Sequence, residues 1–419
     1  MELLIKSAKV LLDGKLVERD IYVEDGKIVE MGTSLNGKGV NAKGLIALPG
    51  IIDAHVHFRE PGQTDKEDYL TGSQAAAAGG VTSVLTMPNV RPPTTTLMEL
   101  ENVRELAKRS LVNYGFHFGS TETNLEEIRQ VRNIASVKLY LGQSTGRMMV
   151  SDATVEKILS ETRRVVIHAE DQAIIEKNKE DHAGETAPSV HSSIRTKEAA
   201  LSALERFFTL KGNASVHVAH ASTLDEVRRA KAHHATVEVT PHHLFLNTSH
   251  YQTLGTRLKV NPAVRSKEEQ ALLWRDLDKV DIIATDHAPH LLEEKDLPYE
   301  DAPAGLPGVQ TLLPLLLDAV NKRRLSLQRL VQLTSERPAS IFRMQRKGHL
   351  LPGHDADITL VDLRREHTLR DDEQLSRCGW TPYDGWKVTG MPVMTIVGGQ
   401  VAFEDDKVFP MRGKEITFG

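Results

Sequence analysis

Hydrophobic and polar residues change their spacing twice along the chain, and these changes divide it into three parts. Up to about residue 49, short runs rich in Val, Ile and Leu are broken by turn signals such as Asp25-Gly26. From about 50 to 345, apolar runs of strand length alternate with stretches of helical periodicity, and short strand-like runs return after that. The pattern predicts β-structure at both ends of the chain and an α/β domain between them.

The middle part holds eight strand-like runs, and helical stretches separate them. The predicted strands are Ile51–His57, Val81–Asn89, Val112–Ser120, Ser136–Leu141, Val165–Glu170, Ser215–Ala221, Thr236–Pro241 and Asp281–His287. The predicted helices are Lys66–Ala78, Leu97–Lys108, Leu125–Arg132, Ala153–Glu161, Lys197–Leu210, Leu224–Ala232, Lys267–Leu277 and Gln310–Asn321. Eight alternating units over this length are typical of a TIM-like (β/α)8 barrel, in the α/β class.

The outer parts are each too short to bury a core of their own. Their predicted strands are Leu3–Leu12, Leu16–Val23, Lys27–Met31, Asp357–Val361, Met394–Val397 and Gln400–Phe403. We therefore expect the two ends of the chain to form one small β-sandwich domain together. The predicted division is 1–49 plus 346–419 for the small domain and 50–345 for the barrel.

Composition narrows the functional classes. The chain has 419 residues, 40% of them hydrophobic, and a net charge of −5, and its basic residues form no block, so nucleic acid is not an expected partner. The single cysteine, Cys378, excludes an internal disulfide and fits a reducing compartment. The N-terminus lacks a signal-peptide core, and no uncharged apolar run approaches membrane-spanning length. We expect a cytoplasmic protein that does not enter membranes.

The first predicted barrel strand ends in His55-Val56-His57. Alternate residues of a strand point to the same face, so the two imidazoles leave the strand side by side. A bare His-x-His is more often a polar pair at a barrel mouth than a metal site. Here Asp53 precedes the pair and Arg59 follows it, and this context favours metal ligation.

Four other strand ends carry residues that bind metals or react near them. They are Lys138 on strand 4, His168 on strand 5, His220 on strand 6 and Asp286 on strand 8. Barrel enzymes place their chemistry at the carboxyl ends of the strands. Together with the histidine pair, these residues predict a metal site built from five strands.

Each of these residues has a simpler interpretation. Lys138 could form an ordinary ion pair, but a desolvated lysine also has a lowered pKa, and its neutral amine can react with carbon dioxide to form a carbamate that binds cations. His168 could be a core histidine. His217 and His220 compete for one place, and His220 is preferred because it lies nearer the strand end.

The remaining histidines receive other assignments. His242 and His243 follow Pro241, which turns the chain, so a structural or outer-sphere role is expected for them. The histidines without supporting context are expected to be surface or packing residues: His117, His182, His191, His233 and His234.

Several motifs together resemble those of the cyclic amidohydrolases, and within them the dihydroorotases. The order H-x-H, Lys, His, His, Asp is that of the superfamily, and K-G-H-L-L-P-G-H-D-A-D-I-T-L-V-D resembles its return into the small domain. The dihydroorotase-like motifs are H-V-H-F-R-E-P-G at 55–62, M-P-N at 87–89, L-K-V-N-P at 258–262, D-H-A-P-H at 286–290 and D-A-P-A-G-L-P-G at 301–308. The resemblance covers essentially the whole chain.

The resemblance implies a binuclear zinc site with a bridging hydroxide. Its expected ligands are His55, His57 and Asp286 for one ion, His168 and His220 for the other, and carbamylated Lys138 between them. Some dihydroorotases use an aspartate in the bridging place, whereas the lysine here indicates the carbamylated branch. Asp286 is also the expected catalytic residue, which takes the proton of the attacking water and passes it to the leaving nitrogen.

The implied reaction is the reversible cyclisation of N-carbamoyl-L-aspartate to L-dihydroorotate with loss of water, in de novo pyrimidine biosynthesis. Arg59, Asn89 and His290 are expected to bind the substrate carboxylate. The Asn261 side chain and main-chain groups near Ala302 and Gly305 are expected to hold the ring amide edge. The loop 142–147, with Ser144 and Thr145, is expected to close over the substrate.

Other interpretations stay open at this point. Allantoinase and dihydropyrimidinase share the metal ligands, but they need no arginine for a ring carboxylate. An inactive dihydroorotase-like scaffold that partners a transcarbamoylase would be expected to lose ligands, and every ligand position here is filled. We expect a homo-oligomer, with a dimer as the preferred form, and association with aspartate transcarbamoylase as a further alternative.

Overall fold

The computed structural model of the protein describes residues 2–142 and 148–419. The first five strands are β1 (Glu2–Leu12), β2 (Lys15–Glu24), β3 (Lys27–Gly32), β4 (Val40–Asn41) and β5 (Ile46–Pro49). The next eight are β6 (Ile51–Val56), β7 (Val81–Thr86), β8 (Asn113–Gly119), β9 (Ser136–Tyr140), β10 (Arg164–His168), β11 (Ser215–Val218), β12 (Thr236–Val239) and β13 (Ile282–Ile283). The last four are β14 (Ile358–Thr368), β15 (Lys387–Val397), β16 (Gln400–Glu404) and β17 (Lys407–Val408).

Strands β6 to β13 form a parallel sheet in sequence order, and the sheet closes to a barrel where Val56 pairs with His287. All described residues of β6, β7, β8 and β9 are buried, which explains their continuous apolar runs. Buried Asp53 links the first strand to the last, because its carboxylate accepts bonds from Thr285 N at 3.0 Å and Thr285 Oγ1 at 2.5 Å. The predicted barrel is confirmed.

Helices cover the outside of the barrel and its loops. They are α1 (Tyr69–Ala78), α2 (Leu97–Ala107), α3 (Leu125–Gln130), α4 (Asp152–Glu161), α5 (Gln172–Asp181), α6 (Val190–Ile194), α7 (Lys197–Phe207), α8 (Leu224–Ala232), α9 (Pro241–Phe245), α10 (Tyr251–Leu254), α11 (Lys267–Arg275), α12 (Leu292–Lys295), α13 (Leu312–Asn321), α14 (Leu327–Val331) and α15 (Arg337–Ile341). Within the described ranges, no helix is both long enough and apolar enough to cross a membrane.

The first barrel helix begins three residues later than its pattern predicts. Asp68 caps α1, since its side chain accepts from Leu70 N at 2.9 Å and Thr71 N at 2.8 Å. Such a cap satisfies backbone donors that the first turn of a helix leaves unpaired. Lys66 therefore lies in the loop that precedes the helix, and its side chain belongs to the barrel mouth.

Both ends of the chain contribute to one mixed sheet of nine strands. Its main order is β17-β16-β15-β14-β5-β1-β2-β3, with β4 beside β1. The sheet folds over on itself, because Ala356 N donates to Gly26 O at 2.8 Å and Gly399 N donates to Ala356 O at 3.0 Å. It thereby encloses an apolar core that includes Ile21 and Ile358. The predicted β-domain built from both termini is confirmed as a feature of the fold.

Two segments of the C-terminal part lie against the barrel. After β17 the chain returns to β8, where Ile416 N donates to Tyr114 O at 2.8 Å. Between β14 and β15, Trp380 reaches the barrel mouth, and its Nε1 donates to His290 O at 2.8 Å. The division at residues 49/50 and 345/346 stays a prediction.

Candidate active site

A cavity of about 490 Å³ opens at the carboxyl ends of the barrel strands. Among the described residues, every one predicted to bind metal or substrate lines it except Ala302, whose N–H donates to Pro298 O at 2.9 Å. The predicted residues that line the cavity are His55, His57, Arg59, Asn89, Lys138, His168, His220, Asn261, Asp286, His290 and Gly305. Of the predicted closing loop, residues 143–147 lie outside the described part of the chain, with Ser144 and Thr145 among them.

Six of these residues form what we call the ligand cluster: His55, His57, Lys138, His168, His220 and Asp286. The Asp286 carboxylate meets both rings of the histidine pair, with Oδ1 2.9 Å from His57 Nε2 and 3.2 Å from His55 Nε2. One ligand atom from each of these three buried residues lies within 4.8 Å of the others. This geometry suits a single cation.

The other half of the ligand cluster consists of His168, His220 and Lys138. His168 Nδ1 and His220 Nε2 are 2.9 Å apart, and the ring centroids of His220 and His55 are 5.4 Å apart. Lys138 is buried, and within the described chain its Nζ has no hydrogen-bond partner. Burial lowers the pKa of Lys138 to about 8, so a fraction of the amine is neutral under mildly basic conditions.

The donor set fits divalent metal ions. Burial lowers the pKa of His57 to about 4 and also lowers the pKa values of His168 and His220, which keeps their ring nitrogens available as ligands. Burial opposes protonation of His55 too, but the carboxylates of Glu238 and Asp286 outweigh it and raise its pKa to about 9. The carboxylates around His55 thus favour a positive charge at its ring. Imidazole and carboxylate ligands are suited to divalent ions such as zinc.

Three groups orient the rings from behind, and two of them were missed by the sequence analysis. The buried carboxylate of Glu238 lies 2.5 Å from His55 Nδ1, and that of Glu170 lies 2.9 Å from His168 Nε2. Asn89 Oδ1 lies 2.7 Å from His57 Nδ1. Such partners determine which ring nitrogen faces the cavity. The sequence does contain a sign of the role of Glu238, because a charged residue stands there between two valines of an apolar strand.

The remaining histidines near the barrel have other partners. His217 Nε2 lies 3.1 Å from Glu238 Oε2, and its Nδ1 lies 2.8 Å from Thr236 Oγ1. His243 lies 2.8 Å from Thr240 Oγ1 and 3.2 Å from Pro262 O. His217, His242 and His243 are buried but do not line the cavity. His117 and His191 are also buried, whereas His233 and His234 are exposed.

A second group, which we call the cationic corner, consists of Arg59, Lys66 and His290. Arg59 Nε donates to Pro289 O at 3.0 Å, and Arg59 Nη2 lies 3.1 Å from His290 Nε2. Lys66 Nζ lies 3.2 Å from His290 Nδ1 and 2.7 Å from Glu294 Oε1. Burial lowers the pKa of Arg59 to about 10, so its guanidinium keeps its charge at neutral pH. The corner is therefore positive and suits an anionic group.

Two loops, which carry Asn261 and Gly305, form another part of the cavity wall. Asn261 Oδ1 lies 2.9 Å from His191 Nε2, and Gly305 N donates to Lys259 O at 2.9 Å. Gly305 has φ of 145°, and a Cβ there would lie 2.5 Å from Ala288 O, so a larger residue would displace the loop. Buried Lys295 joins the two loops, because its Nζ donates to Lys259 O and Pro303 O, both at 2.8 Å.

Residues 46–402 match the sequence profile described as Amidohydrolase family. The chain belongs to the amidohydrolase family. Metal dependence is a property of this family, and the His55, His57 and Asp286 cluster of this amidohydrolase agrees with it.

Two archaeal relatives match this amidohydrolase over its length. A protein named dihydroorotase from Halobacterium salinarum is 39% identical over 420 residues, which cover 97% of this chain and 98% of the relative. A dihydroorotase from Pyrococcus furiosus is 39% identical over 423 residues, which cover 100% of this chain and 96% of the relative.

Solved structures of related enzymes have the same fold. The L-hydantoinase (dihydropyrimidinase) from Arthrobacter aurescens has a TM-score of 0.94 and 29% identity, with 99% of each chain covered. A dihydropyrimidinase from Brevibacillus agri has a TM-score of 0.92 and 25% identity, with 100% of each chain covered. The structural likeness supports a hydrolase acting on cyclic amides, and the choice among substrates depends on the residues around the ligand cluster.

Proposed function

We propose that the protein is a dihydroorotase, which interconverts N-carbamoyl-L-aspartate and L-dihydroorotate in pyrimidine biosynthesis. The single observation that carries the choice of substrate is the cationic corner beside the ligand cluster. A guanidinium offers two parallel donors to a carboxylate, and dihydroorotate has a carboxylate on its ring. The full-length similarity to archaeal dihydroorotases supports the same conclusion.

We propose that His55, His57 and Asp286 hold one zinc ion, that His168 and His220 hold a second, and that carbamylated Lys138 lies between the two ions. The orphaned, buried amine of Lys138 supports the carbamate, because a neutral amine is the form that reacts with carbon dioxide. When bound, zinc lowers the pKa of water and polarises a carbonyl oxygen.

The side chains of this chain account for binding and proton transfer. Arg59, Asn89 and His290 would bind the ring carboxylate. The side chain of Asn261 with the main chain near Ala302 and Gly305 would hold the amide edge. Burial opposes ionisation of Asp286, but His55 and His57 outweigh it and hold the pKa of that carboxyl well below its usual range. Ionised Asp286 would accept a proton from the attacking water and donate it to the ring nitrogen as the ring opens.

The second candidate is a hydantoinase or dihydropyrimidinase, which the structural neighbours favour, and allantoinase is a further member of this class. Their ring substrates would place no carboxylate at Arg59. The experiment is a paired assay of one metal-analysed preparation on dihydroorotate, hydantoin, dihydrouracil and allantoin. Turnover of dihydroorotate alone is expected, and turnover of hydantoin or dihydrouracil without dihydroorotate would overturn the assignment.

Oligomeric state and cellular place are further parts of this proposal. A homodimer in the cytoplasm is proposed, and the single Cys378 supports a reducing compartment. Association with aspartate transcarbamoylase is the alternative assembly. Light scattering of the purified protein, alone and mixed with that enzyme, distinguishes a dimer from a mixed complex.

A further inference from the structure

The loop before α1 places a lysine against a histidine that faces the substrate cavity. Lys66 is only 8% exposed, and it lines the cavity although Asp68 starts the helix after it. Its Nζ has two described partners, the Glu294 carboxylate at 2.7 Å and His290 Nδ1 at 3.2 Å. Glu294 is anchored in turn, because Leu291 N donates to its Oε2 at 3.1 Å.

These contacts determine where the His290 ring carries its proton. Its Nε2 lies 3.2 Å from the carbonyl oxygen of Ala304, which can only accept a hydrogen bond. Its Nδ1 lies beside the Lys66 ammonium, which can only donate. A proton on Nδ1 would face that ammonium, and the nearest carboxylate oxygen, Glu294 Oε2, is 3.6 Å away. A proton on Nε2 also faces a cation, Arg59 Nη2 at 3.1 Å, but only Nε2 has an acceptor within hydrogen-bond distance, the Ala304 carbonyl. The favoured form is therefore neutral, with the proton on Nε2.

That form leaves two donors pointing into one space. Arg59 Nη2 lies 3.1 Å from His290 Nε2, and a guanidinium has no acceptor atom. The two N–H groups therefore cannot bond to each other. An acceptor that enters the cavity can take the Arg59 N–H and share the His290 Nε2–H with Ala304 O. Burial and the charges of Arg59, Lys66 and Lys295 hold the pKa of His290 far below its usual range, which keeps the ring neutral.

We propose that Lys66, held by Glu294, is a positioning residue that keeps His290 in the tautomer protonated at Nε2, so that this N–H and Arg59 bind the substrate carboxylate together. The inference rests on the proposed dihydroorotase function and adds to it the control of the carboxylate-binding histidine. Lys66 acts through His290 and does not need to touch the substrate.

The test uses the full-length, metal-loaded enzyme and the variants Lys66→Met, Lys66→Arg and Glu294→Gln. Lys66→Met is expected to raise KM for dihydroorotate and for carbamoyl aspartate by about tenfold or more, with kcat changed less than about threefold, because one charge-assisted contact is lost from binding. Lys66→Arg keeps a cationic donor and should recover most of the affinity. The matched control is Lys108→Met, which breaks an exposed pair with Glu105 far from the cavity.

Glu294→Gln separates tautomer control from simple electrostatic attraction. The substitution makes the cationic corner more positive, so attraction alone predicts a lower KM. Loss of the anchor for Lys66 predicts a KM about threefold higher instead, as expected for one weakened hydrogen bond. A lower KM in this variant would overturn the proposal, and the result remains available if Lys66→Met fails to fold.

Nitrogen NMR of histidine-labelled enzyme gives a readout independent of turnover, with the His290 signals assigned from a His290→Gln spectrum. The wild-type ring should show an unprotonated Nδ1 and a protonated Nε2, and Lys66→Met should move Nδ1 toward the protonated value. An unchanged Nδ1 in Lys66→Met would overturn the inference. Failure of the proposed function would look different, since the wild-type enzyme itself would then not turn over dihydroorotate.

Discussion

On one side of the cavity, the ligand cluster lies on strands or directly after them, and its rings are oriented from behind by Glu238, Glu170 and Asn89. On the other side, the cationic corner lies on loops, and its members orient one another through His290. Strand ends are placed by the hydrogen bonds of the barrel, whereas loop residues are placed by contacts between side chains. In the proposed function, the first arrangement would provide the reactivity and the second would select the substrate.

If the ligand cluster carries the reactivity, its central residue should show the largest effect. Lys138→Ala should lose bound metal and lower kcat/KM for dihydroorotate by at least about a thousandfold, since several kcal/mol of transition-state stabilisation depend on the metals. Metal analysis and assays with added short carboxylic acids check this, and the acids should restore part of the activity. Normal metal content and rate in Lys138→Ala would make the lysine a structural residue.

Asp286→Asn separates proton transfer from metal binding within the ligand cluster. The amide keeps an oxygen but cannot take up a proton, so ring opening and ring closure should both fall by about a hundredfold to ten-thousandfold while most of the metal stays bound. Both directions are measured on metal-analysed samples. If only one direction fails, the proton is carried by another group.

Arg59→Ala tests the cationic corner. Removal of a charge-assisted contact to the substrate should lower kcat/KM for dihydroorotate by about ten- to a hundredfold, and the metal content should not change. Arg59→Lys should lose less, because it keeps the charge without the planar pair of donors. An unchanged kcat/KM in Arg59→Ala would assign the carboxylate to other residues and remove the contrast between the two sides.

Glu238→Gln tests whether support from behind matters for the ligand cluster. Glu238 meets His55, His217 and the backbone N–H of His220, at 2.5, 3.1 and 3.1 Å. Loss of its charge should weaken metal affinity by about ten- to a hundredfold, as found for outer-sphere partners of ligating histidines. Metal titration with a competing chelator checks the value, and Glu226→Gln, a buried glutamate outside the cavity lining, is the control.

A buried ion pair outside the cavity should affect stability and leave activity unchanged. Lys347 Nζ lies 2.6 Å from Asp357 Oδ2 and 2.9 Å from Asp355 Oδ2. Burial alone would lower the pKa of Lys347, but the two aspartates outweigh it and raise that pKa. Burial alone would raise the pKa of Asp355, but Lys347 outweighs it and lowers that pKa.

The sign of each shift sets the pH window. The lysine, whose pKa is raised on folding, stabilises the fold at pH values below its unfolded pKa of about 10.4, and this effect is lost as the pH rises through the folded pKa. The aspartate, whose pKa is lowered on folding, stabilises the fold at pH values above its unfolded pKa of about 3.9, and this effect is lost as the pH falls. Lys347→Met should therefore cost the most stability between these limits, about 3 kcal/mol. Urea unfolding across the range checks this, and a difference that grows in acid would contradict it.

The sequence predicted the ligand cluster more fully than the cationic corner. The alternation of eight apolar runs with helical stretches predicted the barrel, and the positions of His55, His57, Lys138, His168, His220 and Asp286 at strand ends follow from strand periodicity. Local sequence suffices there, because every parallel strand of a barrel presents its carboxyl end to the same mouth. The prediction of main-chain groups near Ala302 stays a prediction: its neighbours Pro303 and Ala304 line the cavity, and its own N–H is used in a turn.

The sequence by itself determined the class of fold and indicated the ligand cluster and Arg59 as candidates, because their positions depend on spacing within short segments. Only the tertiary structure decided that Glu238 and Glu170 stand behind the histidine rings, and that Lys66 leaves its predicted helix to meet His290 and Glu294. Lys66 and Glu294 are more than two hundred residues apart, and no local pattern reports such a pair. Contacts of this kind arise only when the closed barrel brings the loops after its first and last strands together.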